Sequence, residues 1–135
     1  MGQNRQNSRF NMRKIIGVGI DLISIDRIRG FLKKHRARSR KELLSPPELS
    51  RFKNRRISPP TWSRYFSAKE AYFKTLDLPW LGREGFQHID IQPVSDDSFQ
   101  ACWLEKGRKK WAAEGCWGFA GNHVVAQVIR WNCEI

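Results

Sequence analysis

The chain has 135 residues, 40% of them hydrophobic, with six Trp and eight Phe, and it carries 25 Lys+Arg against 13 Asp+Glu for a formal net charge of +12. That length and apolar content fit one folded domain with a modest core and exclude a disordered chain. The charge calls for an anionic partner, whether nucleic acid, an anionic membrane surface, a phosphorylated cofactor or an acidic protein, without choosing among them.

Residues 1–14 are polar and basic and read as a flexible tail, leaving 15–135 as a single domain. Ile15 to Ile20 is a short apolar run rich in β-branched residues, the pattern of a buried strand, and Asp21 stands at its end. Ser24 or Asp26 then starts a helix with Ile25, Ile28, Phe31 and Leu32 at helical spacing; Arg27, Arg29, Lys33, Lys34 and Arg36 occupy its other side. Ser45-Pro46-Pro47-Glu48 has the form of a capping box with proline in the first turn and opens a second helix. A third helix is predicted from Trp62 to Leu76, with Trp62, Tyr65, Phe66, Phe73 and Leu76 on one stripe, and Leu78-Pro79 stops it.

Beyond a loop with Gly82 and Gly85 the periodicity changes. Phe86 to Val94 and Ser98 to Leu104 read as strands, and Glu105 to Glu114 as a short helix stopped by Gly115. Trp117 to Trp131 reads as a β-hairpin turning at Gly121-Asn122. Strand, helices, strands, helix, strands is the order of an α+β domain with a mainly antiparallel sheet.

No apolar run reaches the length of a membrane span, and the N-terminus lacks the apolar core of a signal peptide, so no membrane insertion is expected. Cys102, Cys116 and Cys133 are odd in number and lack C-x-x-C spacing, which points to free thiols in a reducing, cytoplasmic compartment rather than to disulfides or zinc. The histidines His35, His88 and His123 have no metal-ligand spacing, and there is no P-loop, G-x-S-x-G or H-E-x-x-H.

Two acidic residues stand out. Asp21, where a strand meets a turn, would be exposed on a rigid backbone and suits a hard cation such as Mg²⁺; read locally, capping the turn is its commoner role. Glu70 and Lys74 lie four residues apart on one helical face, either as an ordinary surface pair or as a carboxylate at the edge of an apolar stripe with a lysine in reach of phosphate. The cations of the first helix form either a solvated face or a docking surface for an acidic partner.

Taken together and in order, these segments resemble a known family. Gly17-Val18-Gly19-Ile20-Asp21-Leu22-Ile23 followed by Ile25-Asp26-Arg27-Ile28 is similar to the opening motif of holo-acyl-carrier-protein synthases, and Phe66-Ser67-Ala68-Lys69-Glu70-Ala71 with Lys74 resembles their second motif. Leu44-Ser45 with Glu48-Leu49, and Phe86 with Ile89-Asp90-Ile91, match the segments between and after.

The resemblance implies a phosphopantetheinyl transferase fold and Mg²⁺-dependent transfer of the 4′-phosphopantetheine arm of coenzyme A to a serine of an apo-acyl carrier protein, releasing adenosine 3′,5′-bisphosphate. It assigns Asp21 and Glu70 to the metal, Lys74 and Arg64 to the cofactor, and Arg27 to docking of the acidic carrier. Asp21, Glu70 and Lys74 would form the catalytic set, in a homotrimer with sites between subunits. Phe73, Asp77 and Phe119 stand where the family pattern has other residues. The alternatives are a catalytically silent relative that only binds carrier proteins and a basic nucleic-acid-binding module.

Overall fold

The computed structural model describes residues 14–36, 38–79 and 82–132, without the side chain of Arg83. Residues 1–13 and Cys133 lie outside the described residues, and Lys14, expected in the tail, is instead the first residue of a strand. Strand β1 (Lys14–Ser24) leads into helices α1 (Ile25–His35), α2 (Ser39–Leu43), α3 (Pro46–Phe52) and α4 (Pro59–Lys74). A 3-10 helix (Gly82–His88) then precedes strands β2 (Ile89–Pro93), β3 (Ser98–Glu105), β4 (Arg108–Ala120) and β5 (His123–Asn132). The sheet has five strands in the order β1-β5-β4-β3-β2, every neighbouring pair antiparallel. The expected α+β class with an antiparallel sheet is therefore what the chain forms. No helix among the described residues is long and apolar enough to cross a membrane.

The helix starts follow from their caps. Ser24 accepts from the Arg27 amide at 3.3 Å and begins α1. Ser45 and Glu48 form the reciprocal capping box that opens α3, and Ser58 with two prolines opens α4. The turn Gly121-Asn122 joins β4 to β5, with Gly121 at φ +58°, where a side chain would be strained. That turn also receives the start of α1, since the Ile25 amide donates to the Asn122 carbonyl at 2.9 Å.

Three expectations are corrected. β1 does not end at Asp21 but runs on to Ser24, with Asp21 opposite Ala126 of β5. Nor is β1 buried: it is an edge strand, and Val18, Ile20 and Leu22 are 53–60% exposed. The predicted helix at 105–114 is instead a tight turn at Lys106-Gly107, both with positive φ, followed by the first half of β4. Lys, Ala and Glu favour helix locally, but pairing with β3 on one side and β5 on the other decides the matter.

Helix α4 lies across one face of the sheet and presses on β1. A Cβ on Gly19 would sit 1.9 Å from the Ala71 carbonyl oxygen, and one on Gly17 would sit 2.5 Å from that of Thr75. Alternation along the strand then turns Asp21 toward the same helix. At the far end of α4, the Arg130 guanidinium donates twice to the Thr75 carbonyl, at 3.0 and 3.1 Å.

A buried ion pair ties the other helices to α4. The Lys69 ammonium, 1% exposed, lies 2.6 Å from Glu48, which is fully enclosed. It also donates to the carbonyls of Leu43 (2.8 Å) and Phe86 (2.9 Å), so all three of its protons are placed. Glu48 in turn accepts from the amides of Ser45 (3.0 Å) and Ile91 (2.6 Å). Burial pushes the Glu48 carboxyl up and the Lys69 ammonium down, while each partner pulls the other back toward the charged form.

Gly19→Ala should force α4 away from β1 and destabilise the fold by about 1–3 kcal/mol in urea unfolding, the usual range for overpacking. Lys69→Met leaves Glu48 buried without its counter-charge and should cost about 3–5 kcal/mol by the same measurement.

Candidate active site

β1, α1 and α4 enclose a cavity of about 360 Å³ next to the glycine contact. Asp21, Leu22 and Ile23 line it from β1, Arg27, Ile28 and Phe31 from α1, Phe66 and Glu70 from α4, and Gly82 from the segment beyond. Asp21, Glu70 and Arg27 are thus brought to one place from three separate elements. Lys74 sits just outside, donating to the Ile20 carbonyl at 2.7 Å and lying 3.3 Å from Asp21 Oδ1.

The two carboxyls line the same cavity, and each bears on the other's ionisation. Asp21 Oδ2 is buried without a hydrogen-bond donor among the described residues. Burial first, and the Asp21 charge second, push the Glu70 carboxyl up to about 7, against the opposing pull of Lys74 and Arg27. Two converging carboxylates, one with an orphaned oxygen, could hold a hard divalent cation, which takes oxygen ligands. No group of three His, Cys, Asp or Glu that could hold a metal exists among the described residues.

Arg64 lies elsewhere. Its guanidinium stacks 4.9 Å above the Phe119 ring, its carbonyl accepts from the Trp117 indole at 2.9 Å, and it is not among the cavity lining. Glu48, read from the sequence as the capping-box acid of α3, keeps that role and is locked in the core by Lys69. Phe73 is buried in the hydrophobic core rather than facing the cavity, so this departure from the family pattern is one of packing. Phe31, Phe66 and Gly82 went unassigned as site residues. The signal for the two aromatics was present: Phe31 is one turn beyond Arg27 and Phe66 one turn before Glu70.

The profile of the 4′-phosphopantetheinyl transferase superfamily matches residues 17–128. The chain belongs to that superfamily. It is 33% identical to the holo-[acyl-carrier-protein] synthase of Clostridium kluyveri over 71% of this chain and 69% of that one. It is 31% identical to that of Maridesulfovibrio salexigens over 77% and 83%. The match to the Bordetella pertussis synthase is 38% identical but spans only 45% of that protein's length. The fold is shared with the Helicobacter pylori synthase solved in complex with coenzyme A, at a TM-score of 0.64 and 22% identity over 84% of this chain and 98% of that one.

A raised carboxyl stabilises the fold only while it holds its proton. The metal-free protein should therefore lose stability as pH rises from about 4.5 to about 7, the interval between an ordinary Glu70 and the one in this site. Glu70→Gln should flatten that part of the melting-temperature profile relative to the parent chain, as read by thermal denaturation in chelator.

Proposed function

We infer that the chain transfers the 4′-phosphopantetheine arm of coenzyme A to a serine hydroxyl of an apo-acyl carrier protein, with Mg²⁺ held by Asp21 and Glu70. The convergence of those two carboxylates on one cavity, inside a superfamily match covering most of the chain, carries this reading. Bound there, Mg²⁺ would supply positive charge against the diphosphate of coenzyme A. The orphaned Asp21 oxygen and the depressed acidity of Glu70 are what a cation would relieve.

The chain's own residues have separable tasks. Lys74, fixed on the Ile20 carbonyl, holds the orientation of Asp21 and adds a positive charge beside the phosphates. Arg27 stands at the cavity on the exposed side of α1, where an acidic carrier can meet it. Ile28, Phe31 and Phe66 form an apolar wall that keeps bulk water from competing with the serine. A bond forms from the serine oxygen to phosphorus as the bond to adenosine 3′,5′-bisphosphate breaks, and the Glu70 carboxylate takes the hydroxyl proton.

The open face of the sheet supports a homotrimer. Val18, Ile20 and Leu22 of β1 and Ile129 of β5 are exposed there side by side, with Val18 paired to Ile129. A run of large apolar residues on an edge strand is the kind of surface that proteins bury against a second subunit.

Incubation with coenzyme A, Mg²⁺ and a panel of apo-carrier proteins, followed by intact-mass spectrometry, should show a carrier gaining one phosphopantetheine. Glu70→Ala should lower the rate by at least about a hundredfold, the scale of losing an electrostatic contact made in the transition state. A folded parent chain that modifies no carrier would overturn the reading.

A further inference from the structure

The β3–β4 hairpin holds two backbone outliers. Glu105 pairs with Arg108, so Lys106 and Gly107 form a two-residue turn, at φ +50° and +75°. Such turns favour Asn, Asp or Gly at the first position, and here it is a lysine. Further along, Ala101 pairs with Ala113 and Trp103 with Lys110, so Trp111 and Ala112 together face Cys102. This is a β-bulge, and Trp111 takes φ +52° in it. A bulky residue persists in the left-handed region only where its surroundings hold it. The Tyr72 hydroxyl of α4 donates to the Trp111 carbonyl at 2.7 Å, and the Trp111 ring packs against Trp103 with centroids 6.0 Å apart.

The bulge leaves an indole fixed at the surface, 40% exposed, beside a cluster of cations. Lys106, Arg108, Lys109 and Lys110 are all exposed. Residues opposite each other in a ladder share a face, so Arg108 lies on the side of Glu105 and Lys110 on the side of Trp103. Glu105 and Trp103, two apart on one strand, share that side, as does the Trp111 ring through its contact with Trp103. Glu105, the only acid between Leu104 and Ala113, is taken up by Lys110 at 2.7 Å. Lys106, Arg108 and Lys109 have no ion-pair partner among the described residues.

One exposed ring among unpaired cations selects the partner. A nucleic-acid strand is gripped by successive exposed rings, but Trp103, the ring behind Trp111, is 7% exposed. An indole beside cations instead complements a bilayer surface. Trp settles at headgroup level, and each Lys or Arg near an anionic leaflet strengthens binding by roughly fivefold. We propose that the β3–β4 hairpin docks the chain on an anionic phospholipid surface, with Lys106 and Arg108 on the headgroups and Trp111 at their level. The contact is peripheral and leaves the carboxylate cavity clear. Asp21 aligns through Ala126 with Trp117, toward the other end of β4 from Arg108. The proposal uses no residue of the transferase reading and stands apart from it.

The probe is vesicles of phosphatidylcholine with about one quarter phosphatidylglycerol, mixed with the full chain and read by co-sedimentation. Binding that weakens with salt and is absent on pure phosphatidylcholine is expected. Lys106→Glu with Arg108→Glu should weaken it by at least about tenfold, whereas the charge-matched Arg29→Glu with Lys33→Glu on α1 should weaken it by less than about threefold. All four positions are exposed, and circular dichroism checks that each double variant folds. Lipids brominated near the headgroup should quench the fluorescence of the parent chain more than that of Trp111→Phe. In the unsubstituted chain, bicelles of the same lipids should shift the amide signals of Lys106, Arg108 and Trp111. The proposal is overturned if the two double variants lose binding equally, because net charge alone would then account for it. It is also overturned if Trp111→Phe is quenched as strongly as the parent, if the shifts fall on other segments, if a single-stranded oligonucleotide binds the hairpin more tightly than the vesicles do, or if nothing binds.

Discussion

The close approach of α4 to β1 is the constraint on which the site depends. Two glycines on the inward side of β1 remove the side chains that would hold the helix off, and the backbone of α4 fills the space. Asp21 is the next residue on that side of the strand, so the spacing set by Gly17 and Gly19 is inherited by the carboxylate. Glu70 and Lys74 flank Ala71, the residue whose carbonyl oxygen lies against Gly19. The carboxylate pair is thus a product of backbone packing, placed by residues that have no side chains.

A second constraint fixes α4 from its opposite side. Lys69 is adjacent to Glu70 in sequence but points away from it into the core, where it gathers the end of α2, the start of α3 and the 3-10 segment. Through Glu48 the same knot reaches the Ile91 amide in the middle of β2, the strand at the sheet's other edge. A buried ion pair contributes little net stability, but it specifies geometry, because only one arrangement satisfies every donor and acceptor. Here it sets the rotation of α4 about its own axis. With Lys69 inward, the next residue is turned toward the cavity.

Much of this was legible in the chain. Ser24 and Ser45 cap helices because short hydroxyls accept from amides two or three residues on, and the Gly121 turn needs a positive φ. Asp21, Glu70 and Arg27 were legible only through the joint resemblance of two motifs, since each has an ordinary local explanation. What stayed hidden depended on distant partners. Arg108 to Ala112 are all exposed, so no alternation marked them as strand, and their composition pointed to helix. The apolar run of β1 reads as buried whether protein or another subunit covers it. Arg64 was assigned by its place beside a motif, yet a shift of one residue on a helix turns a side chain by about 100°, and it faces Phe119. Lys69 lay inside the quoted motif without a role, because a buried lysine is rare and only its three acceptors explain it.

A site of this kind works against the stability of the protein that holds it. Two carboxylates that share a cavity, one with an orphaned oxygen, cannot both ionise without mutual repulsion, and half-burial denies them full screening by water. Moving Lys74 inward would relieve the pair, but its ammonium is anchored to the Ile20 carbonyl on the outer side of Asp21. It therefore offsets one oxygen and leaves the other open. The strain persists because the glycine contact and the Lys69 knot hold β1 and α4 in place without help from the site. Because the scaffold's stability is separate from the site's electrostatics, the second Asp21 oxygen and the Glu70 carboxyl stay open to the cavity while Lys74 pairs with the other oxygen.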